Sequence, residues 1–175
     1  MNQWKTEDIR GHLFAIIYFM NKIFKLISAI LVCNLAGILG TFFVSDQVGT
    51  WYKTIQVPAW NPPDWIFAPV WLTLYTLMGI ALYLVWNKEG KIQNKNFVIL
   101  AFFLQLFFNF LWSIIFFGMH DLFLAFVEIL FLIAMLIVTM FSFYKINKVS
   151  FVLLIPYLLW VSFVAYLNYG IWLLN

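Results

Sequence analysis

Charge is what this chain has least of. Only 10% of its 175 residues are Asp, Glu, Lys or Arg, against 65% hydrophobic. A soluble domain carries about 25% charged residues. This chain therefore cannot wrap a core in a polar surface, and a water-soluble globule is excluded. Its single cysteine, Cys33, excludes a disulfide framework or a cysteine metal site within one chain. Lying in an apolar run, it reads as a small packing residue. The two histidines, His12 and His120, fall far apart in sequence. No nucleophile–His–acid arrangement and no Gly-rich phosphate loop is present, so hydrolytic and phosphoryl chemistry have no carrier. No metal site is expected. The net charge of +3 comes from basic residues scattered between apolar runs. They form no basic patch, which excludes a nucleic-acid partner.

What is abundant is long apolar sequence. A membrane-crossing helix needs ~20 largely apolar residues, and five runs qualify: Ile23 to Val44, Asp64 to Trp86, Phe97 to Gly118, Leu122 to Tyr144 and Val149 to Leu174. Barrel strands are ~10 residues long with strict alternation, which these runs lack. The expected fold is an all-α membrane protein, a five-transmembrane-helix bundle over residues 23–175. Residues 1–22 read as a dispensable N-terminal extension, because Gly11 to Phe19 is apolar but too short to span. Met20 is an alternative start.

With five spans, Lys5, Arg10, Lys22, Lys25, Lys88, Lys91, Lys95, Lys145 and Lys148 fall on one side and only Lys53 on the other. Basic residues accumulate on the cytoplasmic side of membrane proteins. The expected topology puts the N-terminus in the cytoplasm and the C-terminus outside, with the long loop 45–63 also outside. His12 and His120 would then lie on opposite sides and could not ligate one haem together.

Polar residues within the spans are costly and face the bundle interior. Gln105, Asn109, Trp112 and Phe116 share a face of the third span, and Trp71, Tyr75, Met78 and Leu82 a face of the second. Pro156, Trp160, Val164 and Asn168 step by four along the fifth. Three faces mixing rings with amides suggest a central pocket for a large, flat, apolar ligand. The plainer alternative is helix packing through amide hydrogen bonds of about 0.6–2 kcal/mol. Glu128, the one carboxylate deep in a span, is a candidate proton or hydrogen-bond site. In the first span, Cys33 with Gly37 and Ala36 with Gly40 are small-residue pairs that permit close helix contact.

The stretch VPAWNPPDWIFAPVW, Val57 to Trp71, holds four of the five prolines and three of the nine tryptophans. Proline fixes its own backbone and pushes the preceding residue toward extended conformations. Pro58, Pro62 and Pro63 therefore make a stiff approach to the second helix, with Asp64 as its expected N-cap. An interfacial aromatic belt explains Trp60 and Trp65. It explains Trp71, nearly two turns deeper, less well.

The run WYKTIQVPAWNPPDWIFAPVWLTLY, Trp51 to Tyr75, resembles the signature of the translocator protein family, also called the tryptophan-rich sensory protein or peripheral-type benzodiazepine receptor family. FNFLWSIIFFG, LFLAFVEILFL and PYLLWVSFVAYLNYGIW are similar to the family's third, fourth and fifth helices, so the resemblance spans residues 23 to 174. It implies a five-helix bundle with the first loop structured as a lid over a pocket. It also implies porphyrin ligands, notably protoporphyrin IX as ligand or substrate, and isoquinoline carboxamide or benzodiazepine-type ligands. No cofactor is required. Some bacterial members degrade protoporphyrin in the light.

By position, the implied ligand-binding residues are Tyr52, Trp71, Asn109, Trp112, Trp160 and Val164. Trp71 and Trp160 match the tryptophans implicated in degradation. Homodimers are common in the family. Animal members bind cholesterol, but here Tyr169 is followed by no basic residue, so that ligand has no support. Lysine outnumbers arginine nine to one, which fits an AT-rich coding sequence and a bacterial cell membrane. A transporter of porphyrins or other apolar molecules, proton-coupled through Glu128, is the alternative of a different class.

Overall fold

A computed structural model describes the backbone of residues 3–90 and 94–175, and the side chains of residues 16–90 and 94–175. His12 and Lys91 therefore lie outside the described side chains. The chain forms α1 (Gln3–Gly49), α2 (Phe67–Trp86), α3 (Lys95–Ser113), α4 (Leu122–Tyr144) and α5 (Lys148–Leu174). Short 3₁₀ turns at Trp51–Lys53 and Asp64–Ile66 lie between α1 and α2, and a π-helical turn, Ile114–Gly118, extends α3. There are no strands among the described residues. All five helical segments are long and apolar enough to cross a membrane.

The expected spans and the helices agree closely for α2 to α5. The first differs. α1 runs 47 residues without a break through position 22, about 70 Å at 1.5 Å per residue. It also continues to Gly49, five residues past the expected end. Nothing in residues 45–49 breaks a helix, so the connection before α2 shortens to residues 50–66.

The helix starts follow local chemistry. The Asp121 carboxylate accepts from the Leu124 backbone N–H at 2.9 Å and caps α4. Asn147 caps α5 through Val149 and Ser150. The expected cap by Asp64 is not formed. Pro63, with ψ of 139°, holds the cap position of the 3₁₀ turn, and Asp64 follows it inside the turn with no capping bond. Its carboxylate caps neither the turn nor α2.

The helices close a ring in the order α1, α2, α5, α4, α3 and back to α1. The outside of the ring is apolar: Phe24, Phe42, Leu72, Phe131 and Leu159 are all exposed. Water would not tolerate such a surface, whereas lipid does. Lipid tails are as apolar as the interior, so helix association must rest on close packing and hydrogen bonds. Small residues provide the packing between α1 and α2. Ala29 and Cys33 are fully buried there, as the packing role of Cys33 requires. Gly79 of α2 lies so close to α1 that an added Cβ would stand 2.5 Å from the Ile30 Cα.

That clash is with backbone and cannot be relieved by a rotamer. Gly79→Val is expected to push α1 from α2 and to cost about 1–3 kcal/mol, read as lowered thermal stability in detergent. Wild-type stability in this variant would contradict the packing described.

Candidate ligand pocket

At the end of the ring that carries residues 50–66, the helices do not close on one another. They enclose a cavity of about 520 Å³ between α1, α2, α3 and α5. Small-molecule sites span roughly 300–1,000 Å³. Gly37 and Gly40 line it from α1, where they let Tyr75 of α2 and Ser113 of α3 approach the helix closely. An added Cβ at Gly37 would collide with the Tyr75 ring.

The walls are aromatic. Trp71 stacks on Tyr75 with centroids 5.6 Å apart, and Trp112 on Phe116 at 4.9 Å, each pair within 25° of parallel. The π-helical turn contributes to this. An ordinary helix turns successive residues about 100° apart, which would send one of three neighbours outward. The wider turn lets Ile115, Phe116 and Phe117 all be buried, and Phe116 and Phe117 both line the cavity. π turns occur often at functional sites.

Below the cavity lies a hydrogen-bonded floor. The Tyr75 hydroxyl donates to Asn109 Oδ1, and Asn109 Nδ2 donates to the Tyr157 hydroxyl at 2.9 Å. One amide thus ties α2, α3 and α5. Nearby, Trp112 Nε1 donates to Asn168 Oδ1 at 3.1 Å, and Asn168 Nδ2 donates to the Leu122 carbonyl at 2.9 Å. That second chain joins α3, α5 and the start of α4.

The connecting segment packs against this end. Tyr52 lines the cavity with its ring near Phe116 and Phe117, and its hydroxyl donates to Asn61 Oδ1 at 3.2 Å. Burial, and after it the nearby Asp64 charge, push the Tyr52 phenol up to about 12. Pro58 is buried against Gly170, where a Cβ would stand 2.8 Å from the Pro58 Cγ. Trp60 stacks on Tyr166 at 5.2 Å. Asn175 bonds both ways with the Gln56 backbone at 2.9 Å. Trp51 stacks on His120 at 4.1 Å. Proline stiffness and these contacts together order a segment with little helix.

Of the residues expected at the site, Tyr52, Trp71, Asn109, Trp112 and Val164 line one cavity. Trp160 does not. It stands behind Trp71, edge-on at 6.5 Å, and also touches Phe67. Its indole N–H is buried without a hydrogen-bond partner among the described residues. Helical arithmetic gives the reason. Each step of four advances 40° around a helix, so the row Pro156, Trp160, Val164, Asn168 winds off its face. Pro156 is exposed, while Tyr157, Val161, Val164 and Asn168 are buried.

Glu128 is buried on α4, which does not line the cavity, and its carboxyl oxygens have no hydrogen-bond partner among the described residues. Gln105, one turn from Asn109, is also buried and unpartnered there. Reading the sequence missed Tyr157. Its spacing of eleven residues from Asn168 is just over three whole turns and could have revealed it. Asp64 was read as a cap and instead lines the cavity.

A sequence model of the TspO/MBR family matches residues 29–173. The chain belongs to the TspO/MBR family. The match takes in α2, α3 and α4, all but the last residue of α5, and the part of α1 that faces the cavity. Tryptophan-rich protein TspO of Archaeoglobus fulgidus is 42% identical over 154 residues, 88% of this chain and 99% of that protein. The human translocator protein is 37% identical over 140 residues, 79% of this chain and 83% of its own length. The tryptophan-rich sensory protein of Cereibacter sphaeroides is 34% identical over 144 residues, 82% of this chain and 86% of its own. This chain is thus a TspO-family, multi-pass integral membrane protein.

Removing Asn109 would leave two buried phenols, those of Tyr75 and Tyr157, without their partner. Asn109→Leu is expected to lower stability by about 1–3 kcal/mol, and Tyr157→Phe by less. Thermal unfolding of both variants in detergent checks this. Equal stability of Asn109→Leu and wild type would mean that the amide holds nothing together.

Proposed function

We propose that the cavity binds a flat, mostly apolar ligand of the tetrapyrrole type, with protoporphyrin IX as ligand or substrate. The protein would then sense, scavenge or, in the light, degrade porphyrins. The observation that carries this reading is the wall of stacked rings, Trp71 with Tyr75 and Trp112 with Phe116, around about 520 Å³. Flat aromatic faces favour offset stacking on a planar ligand. The segment 50–66 acts as the lid. Being stiffened by proline, it loses little conformational freedom when a ligand binds. Neutral aromatic amides of the isoquinoline carboxamide or benzodiazepine type suit the same walls. A free-base porphyrin needs no axial metal ligand, so the site does not require histidine. The charge asymmetry between the two ends supports an N-terminus in the cytoplasm and a lid outside.

In the light, the porphyrin is the absorber and oxygen the oxidant. Trp71 lies against the ligand and exchanges an electron with it. Trp160, edge-on to Trp71 at 6.5 Å, is the next carrier. A second reading rests on Glu128, buried without a hydrogen-bond partner among the described residues. Membrane carboxyls of this kind mark proton pathways, and here the pathway would couple to movement of the ligand. Ligand flux that needs a proton gradient and vanishes in Glu128→Gln would favour that reading.

The test is a protoporphyrin IX titration of purified protein in the dark, read by tryptophan quenching, followed by illumination. Saturable quenching and protein-dependent bleaching to a defined product are expected. Trp160→Phe should slow bleaching about tenfold or more, the equivalent of ~1.4 kcal/mol in barrier height, while leaving dark affinity unchanged. Trp71→Phe should slow bleaching more than it weakens binding. Proportional loss of binding and bleaching in both variants would contradict the electron-transfer role. Absence of saturable quenching would contradict the ligand class.

A further inference from the structure

The cavity contains one formal charge, and it is negative. Among the described residues that line it, Asp64 is the only charged side chain. The others are apolar, aromatic, amide or hydroxyl. Asp64 is also exposed, so it stands at the opening, where cavity and solvent meet. Its charge acts on the hydroxyl of Tyr52 in the lid. With no capping bond to make, the carboxylate is available to whatever enters. Acidic residues outnumber basic ones at this end. Asp46, Asp64 and Asp121 all belong to this end of the bundle, against the single Lys53. Lys53 is exposed and does not line the cavity.

We propose that Asp64 is a charge filter at the mouth of the pocket, admitting flat apolar ligands whose rim at the lid end is neutral or cationic and disfavouring those that present a carboxylate there. The physics is Coulombic. A carboxylate brought within a few ångströms of Asp64 meets like charge between low-dielectric walls, where screening is weaker than in bulk water. Among the described residues, no lysine, arginine or histidine in the wall compensates. An ester or amide in the same place meets no such repulsion, and an amine is attracted. This inference rests on the reading of the cavity as a site for flat ligands and specifies which of them it takes. Protoporphyrin IX, with two carboxylates, should bind less tightly than its neutral dimethyl ester. Its acidic edge should turn away from Asp64.

The experiment uses three probes with one aromatic skeleton: 1-pyrenebutylamine, 1-pyrenebutyric acid and the methyl ester of that acid. Each is titrated against the full chain in neutral detergent, in wild type, Asp64→Asn and Asp64→Lys. Comparing variants with the same probe cancels its partition into detergent. In wild type, the ester and amine should bind more tightly than the acid. Asp64→Asn should raise the affinity for the acid roughly five- to tenfold and leave the ester unchanged. Asp64→Lys should reverse the order of acid and amine. Molar salt should shrink the wild-type preference, because exposed charges are screened over ~3 Å at that strength. An acid-to-ester ratio identical in wild type and Asp64→Asn would overturn the filter.

Protoporphyrin IX and its dimethyl ester are run alongside. A pyrene ratio that shifts while neither porphyrin saturates would uphold the filter and reject the tetrapyrrole reading. Porphyrin binding with an unshifted pyrene ratio would do the reverse. No saturable binding by any probe would reject both.

Discussion

In a bundle whose outside faces lipid, apolar side chains gain little by leaving lipid for the interior. What keeps the helices at fixed distances must be close packing and hydrogen bonds, and one group does this in two directions at once. The Asn109 amide accepts from Tyr75 on α2 and donates to Tyr157 on α5. It sets the separation of three helices at the depth where the cavity begins. Toward the other end, small residues let α1 and α2 approach closely, with Gly79 against the Ile30 backbone. Toward residues 50–66, Gly37 and Gly40 of α1 line the cavity, and the helices enclose open volume there. The same ring is therefore tight at one end and hollow at the other.

The hollow end is also where backbone regularity fails, and both irregularities face the cavity. The π turn after Ser113 brings Phe116 and Phe117 to it together. The segment after Gly49 gives up helix for prolines and 3₁₀ turns, so that Tyr52 and Asp64 reach it from above. A regular five-helix bundle would offer neither. Rings and amides make the wall, and Asn109 and Asn168 each use both the oxygen and the nitrogen of their amide within the protein. A bound ligand would thus be held mainly by stacking and shape, with polar selection concentrated at the mouth.

Much of this was legible in the residues. Five apolar runs gave four helices almost to the residue, because a span leaves few alternatives to helix. Trp71, Asn109 and Trp112 were legible because spacings of four, three and four return within 20° of a full turn. The fifth-helix row was misleading for the same reason: repeated steps of four drift by 40° each, so Tyr157 replaces Pro156 on the inner face. The length of α1 was not legible, since no Gly or Pro marks an end between residues 12 and 36. Nor was the place of Asp64, because its expected role as a cap depended on where Pro63 would sit. Membership of the TspO/MBR family rests on the long match from residue 29 to 173, and the proline-tryptophan stretch carried that signal from the start.

The most direct measurement fills the cavity and leaves the rest of the bundle alone. Val164 lines it from α5 and is buried. A phenylalanine there would project into the open volume. Dark protoporphyrin IX titrations of wild type and Val164→Phe should be compared at matched helicity and thermal stability. If the cavity is the ligand site, saturable quenching should fall at least tenfold in affinity, a change of about 1.4 kcal/mol. An unchanged affinity in a stably folded Val164→Phe protein would mean that the ligand binds elsewhere and that the cavity is not the functional site.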